Sequence, residues 1–170
     1  TSPASWKFKG IPGDPDQRIS VVLAFKYTRP PEPVTIYPPP HHAEMIRKLY
    51  ASIGGVATLA APPPDLAPGV GGSVIHVGVN ESESCAEIFV ASYGADPVRE
   101  VRKRLRTYCL AKIEAINLFL DLGNPATAAL TAEFEKLGFF FGGVLPRPRI
   151  GETLILQYLN NVDLHYDKIQ

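Results

Sequence analysis

A chain of 170 residues is long enough for one domain with a sizeable core, and 45% hydrophobic with 20% charged residues is an ordinary globular composition. The 17 Lys and Arg balance the 17 Asp and Glu, so no global field directs the chain to nucleic acid or to an acidic membrane surface. No apolar run approaches the ~20 residues of a membrane span, no signal-peptide pattern occurs, and two cysteines, Cys85 and Cys109, make no disulfide framework, which together fit a reducing, cytoplasmic setting.

The β-branched and aromatic run 19–27 predicts a strand. Prolines concentrate in 30–40 and 62–68 and mark those stretches as loops or stiff connectors. Between them, 34–37 predicts a short edge strand. Residues 41–53 predict a helix, with Met45, Ile46, Leu49, Tyr50 and Ile53 on one face and Gly54 or Gly55 as its stop. The Pro- and Gly-rich stretch 57–72 predicts a loop. Residues 73–79 and 85–92 predict two strands of a hairpin, joined by the polar 80–84. Residues 96–112 predict a helix with Asp96 as cap, Pro97 in the first turn, and Val98, Val101, Leu105, Tyr108 and Cys109 facing inward. The apolar run 115–120 predicts a strand.

The segment from Asn124 to Phe140 carries the clearest local signals. Asn124 is an N-cap, Pro125 occupies the first helical position, and Ala126, Leu130, Phe134 and Leu137 recur at helical spacing. Gly138 closes the helix. The run 139–145 predicts a buried strand, with Phe140 facing opposite to Phe139 and Phe141, as in a central strand covered on both sides. A Pro-Arg-Pro-Arg turn at 146–149 leads to a last predicted strand, 153–159. The order β-β-α-β-β-α-β-α-β-β predicts an α/β (α+β) fold with a mixed, mostly antiparallel sheet covered by helices in a single domain over 1–170.

Other constellations carry less chemistry. Arg99, Arg102, Lys103, Arg104 and Arg106 predict a solvated basic helix face paired in part with Glu100. His41 and His42, adjacent on a helix, are expected to point apart. His76 is isolated, and Asp163 and His165 alternate near the C-terminus. None has metal-ligand spacing, so no metal site is expected. The Walker, GxGxxG and Gly-x-Ser-x-Gly patterns are missing, and Gly69-Val70-Gly71-Gly72 is a flexible loop by spacing.

The stretch Asn124-Pro125-Ala126-Thr127 followed by Phe134-Glu135-Lys136-Leu137-Gly138-Phe139 resembles the last motif of the GNAT family of acyl-CoA N-acetyltransferases, "N-x-x-A…Y-E-K-L-G-F". The predicted order from Ser73 onward is similar to that family's core: a hairpin, a helix, a strand, a helix and two closing strands. Residues 1–72 are a divergent N-terminal part, with one of the family's two early helices. The resemblance implies acetyl-CoA or another acyl-CoA as cofactor, bound in the cleft between the strand ending at Ser92 and the strand 115–120. It implies cofactor-binding positions at Ser92, Tyr93, Gly94, Ala95 and Asn124, and Glu87 as the base for the attacking amine.

The chain departs from the family pattern where that chemistry is done. The phosphate loop of the family reads Gln/Arg-x-x-Gly-x-Gly/Ala, because small residues and free N–H groups at a helix N-terminus attract a pyrophosphate. Here Ala91 replaces the long polar residue, Asp96 places a negative charge at the anion site, and Pro97 removes a donor. Phe134 stands where the family carries the tyrosine that protonates the departing thiolate, and it has no hydroxyl. Two expectations follow: a non-catalytic, ligand- or partner-binding regulatory domain of a larger signalling protein, or an active acyltransferase with a divergent site. The Thr-Ser-Pro start, without an initiator methionine, fits a processed product or a piece of a longer chain.

Overall fold

The computed structural model describes residues 2–7, 18–21, 24–146 and 151–162. Its centre is a five-stranded sheet of β5 (Val74–Asn80), β6 (Cys85–Ser92), β7 (Ala115–Asp121), β8 (Phe140–Leu145) and β9 (Thr153–Leu159), in spatial order β5-β6-β7-β9-β8. Only β6 and β7 run parallel in this sheet; the other three pairs are antiparallel, so the sheet is mixed and mostly antiparallel as expected. Parallel neighbours need a crossover, and α2 (Pro97–Leu110) supplies it. The second crossover helix, α3 (Pro125–Glu135), carries the chain past the position of β9 to β8.

Alternation along the strands divides the two sheet faces. Ala86, Ile88, Val90, Ile116, Leu118, Leu120, Leu154 and Leu156 are buried on the face covered by α2 and α3, where Val101, Leu105 and Phe134 meet them. The other face carries Glu87, the stacked pair Phe89 and Phe119 with ring centroids 4.4 Å apart, Asn117 and Gln157. Asn124 caps α3 as expected, its Oδ1 accepting the Ala126 N–H at 2.9 Å. Gly138 closes it at φ +100°, and any side chain there would also strike the Tyr158 ring.

The N-terminal half departs from expectation in several places. The predicted strand 19–27 is shorter: β2 (Arg18–Val21) pairs antiparallel with β1 (Ser2–Lys7), residues 24–27 have no regular structure, and 22–23 lie outside the described residues. Stretch 57–72 is not all loop. Its first residues form β4 (Ala57–Leu59), which pairs in parallel with β3 (Val34–Ile36) across α1 (Ala43–Ser52). Ala57-Thr58-Leu59 is too short to carry a periodic signal, and its partner lies over twenty residues away, so only the ladder reveals it. This small unit docks on the main sheet through the Tyr37 N–H, which donates to the Leu122 carbonyl at 2.7 Å, and through the Tyr50 hydroxyl, which donates to the buried Glu152 carboxylate.

The Phe139-Phe140-Phe141 run lies at the rim of the sheet, not at its centre, because β9 inserts between β7 and β8. A bulge between Phe141 and Gly143 shifts the register there. Phe139 packs edge-on against Tyr158 of β9, and Phe141 packs against the His42 ring ahead of α1. The turn residues 147–149 and the pair Asp163 and His165 lie outside the described residues.

Candidate functional site

The predicted phosphate loop lies where β6 ends and α2 begins. The parallel ladder runs from Cys85↔Ala115 to Val90↔Leu120 and stops, although β6 continues to Ser92 and β7 to Asp121. The gap this opens is filled from within the chain. Tyr93 turns inward, and its hydroxyl lies 2.7 Å from Thr127 Oγ1 on α3, whose own hydroxyl donates to the Asp121 carbonyl. Burial pushes the Tyr93 hydroxyl far above the ordinary tyrosine value, so it keeps its proton. Ser92 stays exposed, paired with Val74 across the hairpin.

The donors that would meet a pyrophosphate have partners. Gly94 N–H donates to Ser73 Oγ at 3.0 Å, and Ala95 N–H donates to the Gly71 carbonyl at 2.9 Å. Asp96, expected to cap α2, makes no capping bond to that helix. Its carboxylate instead accepts from the Ser73 N–H at 3.3 Å and from Arg99. Those donors hold the Asp96 carboxyl below its ordinary value, the Ser73 N–H contributing most. Segment 69–73, flexible by spacing, is therefore seated on the loop. A Cβ on Gly94 would lie 2.5 Å from the backbone of Gly71, Gly72 and Ser73. A Cβ on Gly69 would lie 2.1 Å from the Tyr93 carbonyl. Glycine at both positions permits backbone to lie on backbone. With these amides engaged and a carboxylate beside them, the residues present do not fit an acyl-CoA pyrophosphate.

Glu87 is exposed on the opposite face of β6 from Ala86 and Ile88, between its cross-strand neighbours Gly78 and Asn117. It lines an open groove of about 400 Å³ with Gly78, Glu83, Cys85 and Asn117. A Cβ on Gly78 would lie 3.6 Å from the Glu87 carboxylate, in ordinary contact with it. Two amides lie on this face beside one another: among the described residues, the Asn117 Oδ1 and both polar atoms of fully buried Gln157 have no hydrogen-bond partner. Burial raises the Cys85 thiol above its ordinary value, which makes it a poor nucleophile at neutral pH. Phe134 is 0% exposed in the core under α3, and it presents no proton donor. Asn124 is occupied by its capping bond.

Thus the structure brings Tyr93, Gly94 and Ala95 together with 69–73, and places Glu87 on another face. The expected basic face of α2 is solvated, with Arg104 paired to Glu100 and Arg99 to Asp96. A further expectation is overturned: His41 and His42 do not point apart. They belong to a 3₁₀ turn (Pro40–His42) ahead of α1, and both Nε2 atoms meet the Glu135 carboxylate, at 2.7 and 2.6 Å. No protein-family model and no curated protein matches this chain. Among the described residues no helix is long and apolar enough to cross a membrane.

Proposed function

We propose that this chain is a GNAT-like domain whose acyl-CoA site is closed by its own backbone, and that it acts without catalysis, as a ligand- or partner-binding regulatory domain of a larger signalling protein. The observation that carries this reading is the engagement of the Gly94 and Ala95 amides by Ser73 and Gly71. Supporting the family assignment are the hairpin, helix, strand, helix and two strands in that order from Val74 onward, and the parallel pairing of β6 with β7 within the five-stranded sheet, at the place where the family holds its cofactor. Supporting the loss of catalysis are Phe134 in place of tyrosine and the separation of Glu87 from the closed loop. The groove beside Glu87 and Glu83 offers this domain a place for a cationic or hydrogen-bond-donating ligand.

The competing reading is an acyltransferase that uses Glu87 as base. It is favoured by the divergence of β6 and β7 beyond Val90 and Leu120, and it requires 69–73 to leave Gly94. Calorimetric titration of the purified chain with acetyl-CoA, and separately with desulfo-CoA, tests both. The closed site predicts no binding of either up to millimolar concentration. Micromolar binding of either means that the loop opens, and the acyltransferase reading replaces the first.

A further inference from the structure

The two histidines and Glu135 join the turn ahead of α1 to the end of α3. His41 Nε2 and His42 Nε2 approach different oxygens of one carboxylate, and the three donor atoms lie within 4.8 Å of one another. Three features hold them there. Pro38, Pro39 and Pro40 restrict the backbone that leads into the turn. The 3₁₀ geometry sets consecutive side chains closer to one side than a strand would. Phe141 lies against the His42 ring at 4.8 Å between centroids and limits its rotation.

We propose that His41, His42 and Glu135 form a zinc-binding site with three protein ligands. Two imidazole nitrogens and one carboxylate are a donor set that suits zinc, in the type of site that leaves a position to water. His41 has a side chain 44% exposed, so the fourth position faces solvent. Zn–N bonds of about 2.0–2.1 Å in a tetrahedron put neighbouring donors about 3.3 Å apart. The nitrogen–oxygen distances of 2.7 and 2.6 Å therefore widen by about 0.6–0.7 Å, within reach of side-chain rotation. Binding takes both Nε2 lone pairs, so each neutral ring carries its proton on Nδ1 and the carboxylate binds ionised. The ion would tie the start of α1 to the end of α3, joining the β3-α1-β4 unit to the main sheet.

The test is calorimetric titration of the full chain with zinc chloride, followed by the visible spectrum with cobalt chloride in its place. One zinc per chain is expected, with the bands of a four-coordinate cobalt ion. His42→Ala and Glu135→Gln should each weaken binding at least tenfold. His76→Ala, outside the cluster, should leave it unchanged. Zinc should raise the melting temperature of the natural chain and not that of Glu135→Gln, which keeps the carboxamide oxygen as an acceptor for the rings. Absence of zinc binding at millimolar concentration overturns the proposal. So does equal binding by the natural chain and both cluster variants, since the zinc then sits elsewhere.

Discussion

Ser73 Oγ accepts the Gly94 N–H at 3.0 Å, while the Ser73 N–H donates to the carboxylate of Asp96. One residue before β5 thus satisfies the loop after β6 in both directions. A buried amide that loses its acceptor costs about 1–3 kcal/mol. Ser73→Ala should lower unfolding free energy by that order in urea titration. A variant as stable as the natural chain would mean that the Gly94 amide has another acceptor.

Gly94→Ala is expected to destabilise the chain by a different route from Ser73→Ala. Its methyl group would lie 2.5 Å from main-chain atoms of Gly71, Gly72 and Ser73, which cannot move aside as a flexible side chain can. Either 69–73 lifts off or the chain loses roughly 1–3 kcal/mol through overpacking. Limited proteolysis distinguishes these outcomes, because a displaced loop exposes new cleavage positions near Gly71.

If the chain is the GNAT-like domain proposed above, Phe134→Tyr would introduce that family's tyrosine without conferring activity. The ring is 0% exposed, so a hydroxyl there enters the core at a cost of about 1–3 kcal/mol if it finds no partner. The expected result is a lower melting temperature and no transfer of acetyl from acetyl-CoA to amines. Detectable transfer would show that one hydroxyl was the missing element.

Alkaline pH should destabilise this fold through Tyr50 and Tyr93. Burial is the largest cause of the upward shift at both, and the Glu152 carboxylate beside Tyr50 adds to it. Both keep their protons in the folded state, whereas unfolded tyrosines ionise near pH 10. The stabilising contribution is complete below that value. Above it the unfolded state binds fewer protons, so stability falls as pH rises, by about 1.4 kcal/mol per pH unit for each group. Tyr93→Phe should reduce the slope of unfolding free energy above pH 10. An unchanged slope would place Tyr93 in water.

Asn124→Ala removes the acceptor of the Ala126 N–H, a change worth about 1 kcal/mol at a helix N-cap. Thermal unfolding followed by circular dichroism measures it. A shift as large as that of a core truncation would indicate that Asn124 also holds the β7–α3 turn.

Local chemistry was legible in the residues themselves. Asn124, Pro125 and Gly138 bound one helix, Pro97 starts another, and the runs 85–92 and 115–120 read as strands, because caps, fixed φ and β-branched, apolar runs act within a few residues. What the tertiary structure decided depends on partners distant along the chain. The insertion of β9 put the Phe run at the rim, and the β3 ladder made a strand of Ala57–Leu59. The close approach of 69–73 to Gly94 gave a stretch that reads as a flexible loop a fixed seat against the loop after β6. The convergence of His41 and His42 needed a 3₁₀ turn and a carboxylate over ninety residues away. Hydrogen-bond partners and close packing are set by where whole elements meet, and no window of neighbouring residues contains that information.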